Sequence, residues 1–128
     1  MATISRVYRA VATIVNADTF TNTEEYSSDV DLETDGYEGS HVTASVAFHA
    51  SGTADAILNL YGSLDGSTYD TIALASIRVP ITAGATKQVS FVIADVLHWR
   101  LGYITSAAEA SYPPTLTAKE QSWRWQSA

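Results

Sequence analysis

His41-Val42-Thr43-Ala44-Ser45-Val46-Ala47-Phe48-His49 is the stretch on which the fold turns. Val42, Ala44, Val46 and Phe48 fall on one side at a period of two, with His41, Thr43, Ser45, Ala47 and His49 on the other. That period belongs to a β-strand, whose successive side chains point to opposite faces of a sheet. A core-facing helix would need apolar residues at i, i+3, i+4 and i+7 behind a cap, and the chain nowhere sustains that pattern over three turns.

The same alternation extends in both directions. Upstream, Tyr26, Ser28, Val30 and Leu32 oppose Ser27, Asp29, Asp31 and Glu33, and Ser5 to Val15, rich in Val, Ile and Tyr, predicts an opening strand. Downstream, Ala54 to Ser63 is apolar on both faces, as expected of a central strand covered on two sides. Leu64-Asp65-Gly66-Ser67-Thr68 predicts a hairpin, because Asp-Gly readily adopts positive φ, and the returning strand is placed at Tyr69 to Ile77, ending before Pro80. Gln88 to Ile93, Leu97 to Tyr103 and Thr115 to Trp125 supply three more strands, and the small residues of 105–114 with Pro113-Pro114 supply a loop. About eight strands with regular turns predict an all-β fold: an antiparallel β-sandwich or jelly roll filling residues 1–128 as a single domain.

Composition removes several function classes. The 128 residues suffice for one hydrophobic core, and no apolar run reaches the roughly 18 residues of a membrane span. The start, Met1-Ala2-Thr3-Ile4-Ser5-Arg6, lacks the layout of a secretory signal, so a soluble, unprocessed chain is expected. Cysteine is absent, which excludes disulfides, thiolate nucleophiles and thiolate metal sites, and Asn16, Asn22 and Asn59 fail the glycosylation rule. The net charge of −7 disfavours direct binding to nucleic acid and favours solubility.

Chemistry-bearing patterns are few. Asp29, Asp31, Glu33 and Asp35 place carboxylates at every second position; read as a calcium loop from Asp31, the stretch puts Glu33 where Asp or Asn is wanted and Val42 where the closing Glu should stand. The solvated face of a strand is the favoured reading, with like charges about 7 Å apart that a basic partner or cations would relieve. His41, His49 and His98 lack a nucleophile elbow; the first two are about 26 Å apart along one extended strand and cannot share a metal within it. Phosphate-cradling glycine motifs are missing. No catalytic residue, cofactor or metal is expected. Trp123 and Trp125 project from one face of the last strand with Arg124 opposite, to be covered by the core, by a stacked sugar or by another subunit. Trp123, Arg124, Trp125, Tyr112, Asp29, Asp31 and Glu33 are the interface candidates, with Tyr61 and Tyr69 joining the tryptophans if the ligand is a glycan.

Three stretches, Leu60 to Asp70, Trp99 to Thr105 and Pro113 to Ala118, resemble the small β-sandwich proteins of tailed-bacteriophage virions. The resemblance implies a structural role on the capsid exterior, as a decoration or cementing protein made in the host cytoplasm. The implied partners are the major capsid protein, other virion subunits and further copies of the chain, and it carries over no catalytic residue. A carbohydrate-binding module or a tail-associated adhesion domain is the alternative.

Overall fold

The computed structural model describes residues 4–127, with ten strands and no helix among them. They are β1 (Ile4–Tyr8), β2 (Ala12–Thr19), β3 (Glu25–Tyr26), β4 (Val30–Asp31), β5 (Gly39–Ala47), β6 (Ala56–Ser63), β7 (Ala75–Val79), β8 (Thr86–Ala94), β9 (His98–Thr105) and β10 (Thr115–Ser127). Every pairing is antiparallel, and the strands form two five-stranded sheets. In the β10 sheet the order is β1-β10-β5-β8, with β2 on the same edge of β10 as β1 but further along it. In the β9 sheet the order is β3-β9-β6-β7, with β4 sharing the β3 edge. The result is the β-sandwich that the period of two predicts.

The alternation reads directly as burial. Val42, Ala44 and Val46 are fully buried on β5, and they meet Trp99 and Leu101 of β9, Leu58 of β6 and Leu116 of β10 between the sheets. Burying each large side chain contributes about 1.5–3 kcal/mol. Phe20 closes one end of the layer, edge-to-face on Tyr103 at 5.5 Å between ring centroids.

One seam of this interior is polar. Glu120 and Ser122 occupy inward positions on β10, and both are buried. Arg9 reaches in between β1 and β2, donating to Ser122 Oγ at 2.6 Å and Glu120 Oε1 at 3.3 Å, and Ser122 donates to Glu120 Oε2 at 2.8 Å. Ser40 Oγ lies 3.3 Å from Ser122 Oγ and accepts from Trp99 Nε1 at 3.2 Å, so the network links the two sheets.

The structure corrects three sequence expectations. The opening strand is two, because Arg9 to Val11 swings from one half of β10 to the other so that Arg9 can enter the interior. The extended stretch expected at 26–33 is reduced to two two-residue ladders on β9, at Glu25–Tyr26 and Val30–Asp31, with Ser27 still bonded to Leu101 and Ser28 and Asp29 outside the ladder. After the Asp-Gly turn, with Gly66 at φ +78°, the chain is held to β6 by the Ser63–Tyr69 bridge and by the backbone bonds Asp70 N to Gly62 O and Leu74 N to Leu60 O, and the returning strand starts at Ala75 rather than Tyr69. Asp65 holds the turn by accepting from Ser67 N and Thr68 N at 2.8 Å, so residues 64–74 form a loop folded over the β9 sheet.

Candidate functional site

The outer face of the β9 sheet gathers the acidic row. His98 faces outward yet is 7% exposed, because the carboxylates of the β4 segment close over it. Its Nδ1 lies 2.9 Å from Asp29 Oδ2, and its Nε2 lies 3.3 Å from Glu33 Oε1 and 3.9 Å from Asp31 Oδ1. Carboxylates at both ring nitrogens suit the imidazolium, which alone donates from both. The hydrogen bond that His98 donates to the Asp29 carboxylate holds its pKa above the ordinary value against the opposing effect of burial, with Glu33 and the charges of Asp29 and Asp31 adding to the rise. Asp31 also accepts from Glu33 N, Thr34 N and Thr34 Oγ1, which holds its carboxyl below the usual range. Tyr69 donates its hydroxyl to Asp29. His98, when protonated, offsets part of the charge of this row, and among the described residues no group of three or more His, Asp and Glu side chains is arranged to hold a metal.

One row along, Arg100 is clamped between the rings of Tyr26 and Tyr69, at 3.7 and 4.1 Å from their centroids. Next to it Gly102 leaves a hollow that Glu24 fills. Glu24 accepts from Asn59 Nδ2 at 2.6 Å, from Tyr61 OH at 2.7 Å and from Tyr26 OH at 3.2 Å. A β-carbon at residue 102 would lie 2.7 Å from Glu24 Oε2 and 2.8 Å from the Tyr61 ring. Burial, reinforced by Glu24, pushes the Tyr61 hydroxyl up to about 12. Tyr61 and Tyr69 are therefore committed to their own fold and form no open platform.

The outer face of the β10 sheet is built differently. Trp123 and Trp125 lie on it in neighbouring outward positions, with ring centroids 6.1 Å apart and planes at 76°. Arg6, opposite Trp125 on β1, spreads its guanidinium over both indoles at 4.3 and 4.9 Å. Trp123 is half-buried because it lies over Gly39, where a β-carbon would come within 2.9 Å of the indole. Trp125 stays 48% exposed, with Ile4 and Tyr8 exposed on the neighbouring β1, and Val92 is exposed two strands away on β8, opposite His41. The register places Arg6, Tyr8, His41, Thr43, Ser45, Gln88, Ser90, Val92, Lys119 and Gln121 in these outward rows. No Asp or Glu occupies an outward ladder position of this sheet.

The remaining candidates lie apart. Arg124 turns to the opposite side, stacks 5.5 Å from the Tyr37 ring and donates to the Asp35 carbonyl at 2.8 Å. Tyr112 packs on His49 in the loop before β10, with centroids 4.7 Å apart. His41 is exposed on the β10 sheet's outer face. Three shallow cavities of about 360, 180 and 350 Å³ open at the ends and edges of the sandwich. The 350 Å³ cavity touches Asp29, Asp31 and Glu120, each already bonded within the protein, and His98 lines none of the three. Sequence reasoning missed Arg6 and Glu24, since only the register shows what an isolated Arg or Glu will face.

No protein-family model matches the sequence, and no curated protein matches it. Solved structures with the same fold do exist. A chain of infectious bursal disease virus, Gt strain, superposes with TM-score 0.56 at 14% identity, covering 90% of this chain and 32% of the viral one. A chain of Bacillus endospore appendages, described as a novel family of disulfide-linked pili, gives 0.52 at 13% identity, with 95% and 88% covered. The SPBc2 prophage-derived protein YomS gives 0.50 at 10% identity, with 97% of each chain covered. At these identities the likeness is one of fold: this chain is an all-β sandwich similar to chains of a virus, a prophage and a pilus.

Proposed function

We propose that this chain is a structural protein of a virion, a decoration or cementing subunit that works by contact and carries out no catalysis. The observation that carries the reading is the outer face of the β10 sheet, where Trp125, Tyr8 and Ile4 stand uncovered beside the Arg6-topped tryptophans. Tryptophan, tyrosine and arginine are the residues that anchor protein interfaces, and a sheet face is a broad surface on which to place them. The similarity of fold to viral and prophage chains over most of this sequence supports the assignment. A subunit that binds only the assembled shell stabilises it by mass action as its sites fill. Its partners are then the major capsid protein or neighbouring virion subunits, further copies of this chain among them.

The alternative, a carbohydrate-binding module, has less support. Sugar rings stack on open, flat aromatic faces, whereas these indoles stand at 76° and Arg6 lies over both. Stoichiometry of the intact particle tests the reading: many copies per shell, lost when Trp125 is replaced by Ala, is the expected result. A chain absent from particles but retained on immobilised glycan would reverse the order of the two.

A further inference from the structure

We infer that the outer face of the β10 sheet docks against the same face of a second copy of this chain, as a two-fold dimer. The inference rests on the reading of that face as an assembly surface and names its occupant. The chain carries fourteen Asp and Glu against seven Lys and Arg. None of those carboxylates occupies an outward position in the β1-β10-β5-β8 ladders, where the charged side chains are Arg6 and Lys119, with His41 between them and the edge. For a molecule of this charge, most faces would bring carboxylates together when two copies meet. This face does not.

Distance favours the same face. With sheets packed about 10 Å apart, two sandwiches joined in this way set their acidic β9-sheet faces ~30 Å apart. That is beyond the ~8 Å over which charges act at physiological salt. The net charge, which opposes association through any carboxylate-bearing face, is thus largely screened in this arrangement alone. Lys119 can lie its stem along the sheet and keep its ammonium at the rim.

The area is also sufficient. Thirteen residues of β10 span ~40 Å, and four strands side by side span ~19 Å. The resulting face is on the order of the ~800 Å² that each partner contributes to a stable interface. Its composition fits as well: exposed Trp125, Tyr8 and Ile4 at one end can anchor, Val92 adds an apolar contact on β8, and the Thr, Ser and Gln rows of β5 and β8 can pack flat. A two-fold axis makes the patch its own partner, so the pairing closes at two copies.

Sedimentation velocity of the purified chain across the micromolar range tests this. The expected result is a dimer whose Kd rises at least ~tenfold when Thr43→Glu puts a carboxylate in the middle of the face, or Trp125→Ala removes an anchor. Ile72→Glu, which removes a still more exposed apolar side chain from the 64–74 loop, should leave the Kd unchanged. Circular dichroism checks that Thr43→Glu is folded, and the near-isosteric Gln88→Glu stands in for it if it is not. A monomer at all concentrations, or a dimer indifferent to all three face substitutions, overturns the inference. Particle binding separates the two readings. A monomer that still binds particles through Trp125 sinks the dimer and keeps the virion role, whereas a dimer broken by Thr43→Glu that binds no particle does the reverse.

Discussion

The two outer faces of the sandwich use similar residues to opposite effect. On the β9 sheet, Arg100 lies between Tyr26 and Tyr69, Glu24 collects three donors, and His98 collects three carboxylates. The edge segment from Glu24 through β3 and β4 to Glu33 and the 64–74 loop close over that face and satisfy it. On the β10 sheet, Arg6 lies over Trp123 and Trp125, and among the described residues no Asp or Glu occupies an outward ladder position beside them. An arginine stacked on aromatic rings is thus not by itself a binding feature. What separates structural from available is whether the polar ends nearby already have partners.

That contrast can be broken or sharpened by substitution, beginning with the largest effect. Glu24→Ala removes the acceptor shared by Asn59, Tyr61 and Tyr26 and leaves the buried Tyr61 hydroxyl unpaired, for an expected loss of ~2–3 kcal/mol in urea unfolding. A loss below 0.5 kcal/mol, on the order of an ordinary surface change, would mean that the β9 face is not closed as described. Gly39→Ala presses on the Ile93 carbonyl and the Trp123 indole, each within 2.9 Å of the new β-carbon. It should cost ~1–2 kcal/mol and shift tryptophan emission to the red as the indole lifts.

His98→Asn removes the imidazolium that offsets three carboxylates and should cost ~1–2 kcal/mol at weakly acidic pH. Because His98 titrates above its ordinary 6.5 in the folded protein, its contribution is fully present below pH 6.5 and is lost as the pH rises through the folded value. The gap between wild type and variant should therefore narrow with rising pH, and a gap that widens would contradict the assignment. The smallest effect belongs to Trp125→Ala. Measured on dilute, monomeric protein, it should change unfolding stability by no more than ~0.5 kcal/mol, since among the described residues its ring stacks on Arg6 and Trp123 and stays 48% exposed.

Much of the fold was legible because burial on one side imposes the period of two. Val42, Ala44 and Val46, and likewise Trp99, Leu101 and Tyr103, face the core as their spacing predicts. Segments whose path is set by distant partners were not legible. Arg9 breaks the first strand to reach Glu120, more than a hundred residues away, and Tyr69 leaves its expected strand to lie on Arg100 and Asp29. The candidate site divides along the same line. The outward direction of Trp123 and Trp125 follows from strand parity, whereas the inward turn of Asp29, Asp31 and Glu33 onto His98 depends on a β4–β9 pairing that no local pattern encodes.

Hydroxyl-radical footprinting of the assembled protein against dilute monomer tests most directly the claim that one face is covered by assembly while the other is closed by its own chain. The account predicts that Trp125 and Tyr8 become protected on assembly while Tyr26 and Ile72 keep the same reactivity. Protection at Tyr26 with Trp125 unchanged would contradict it.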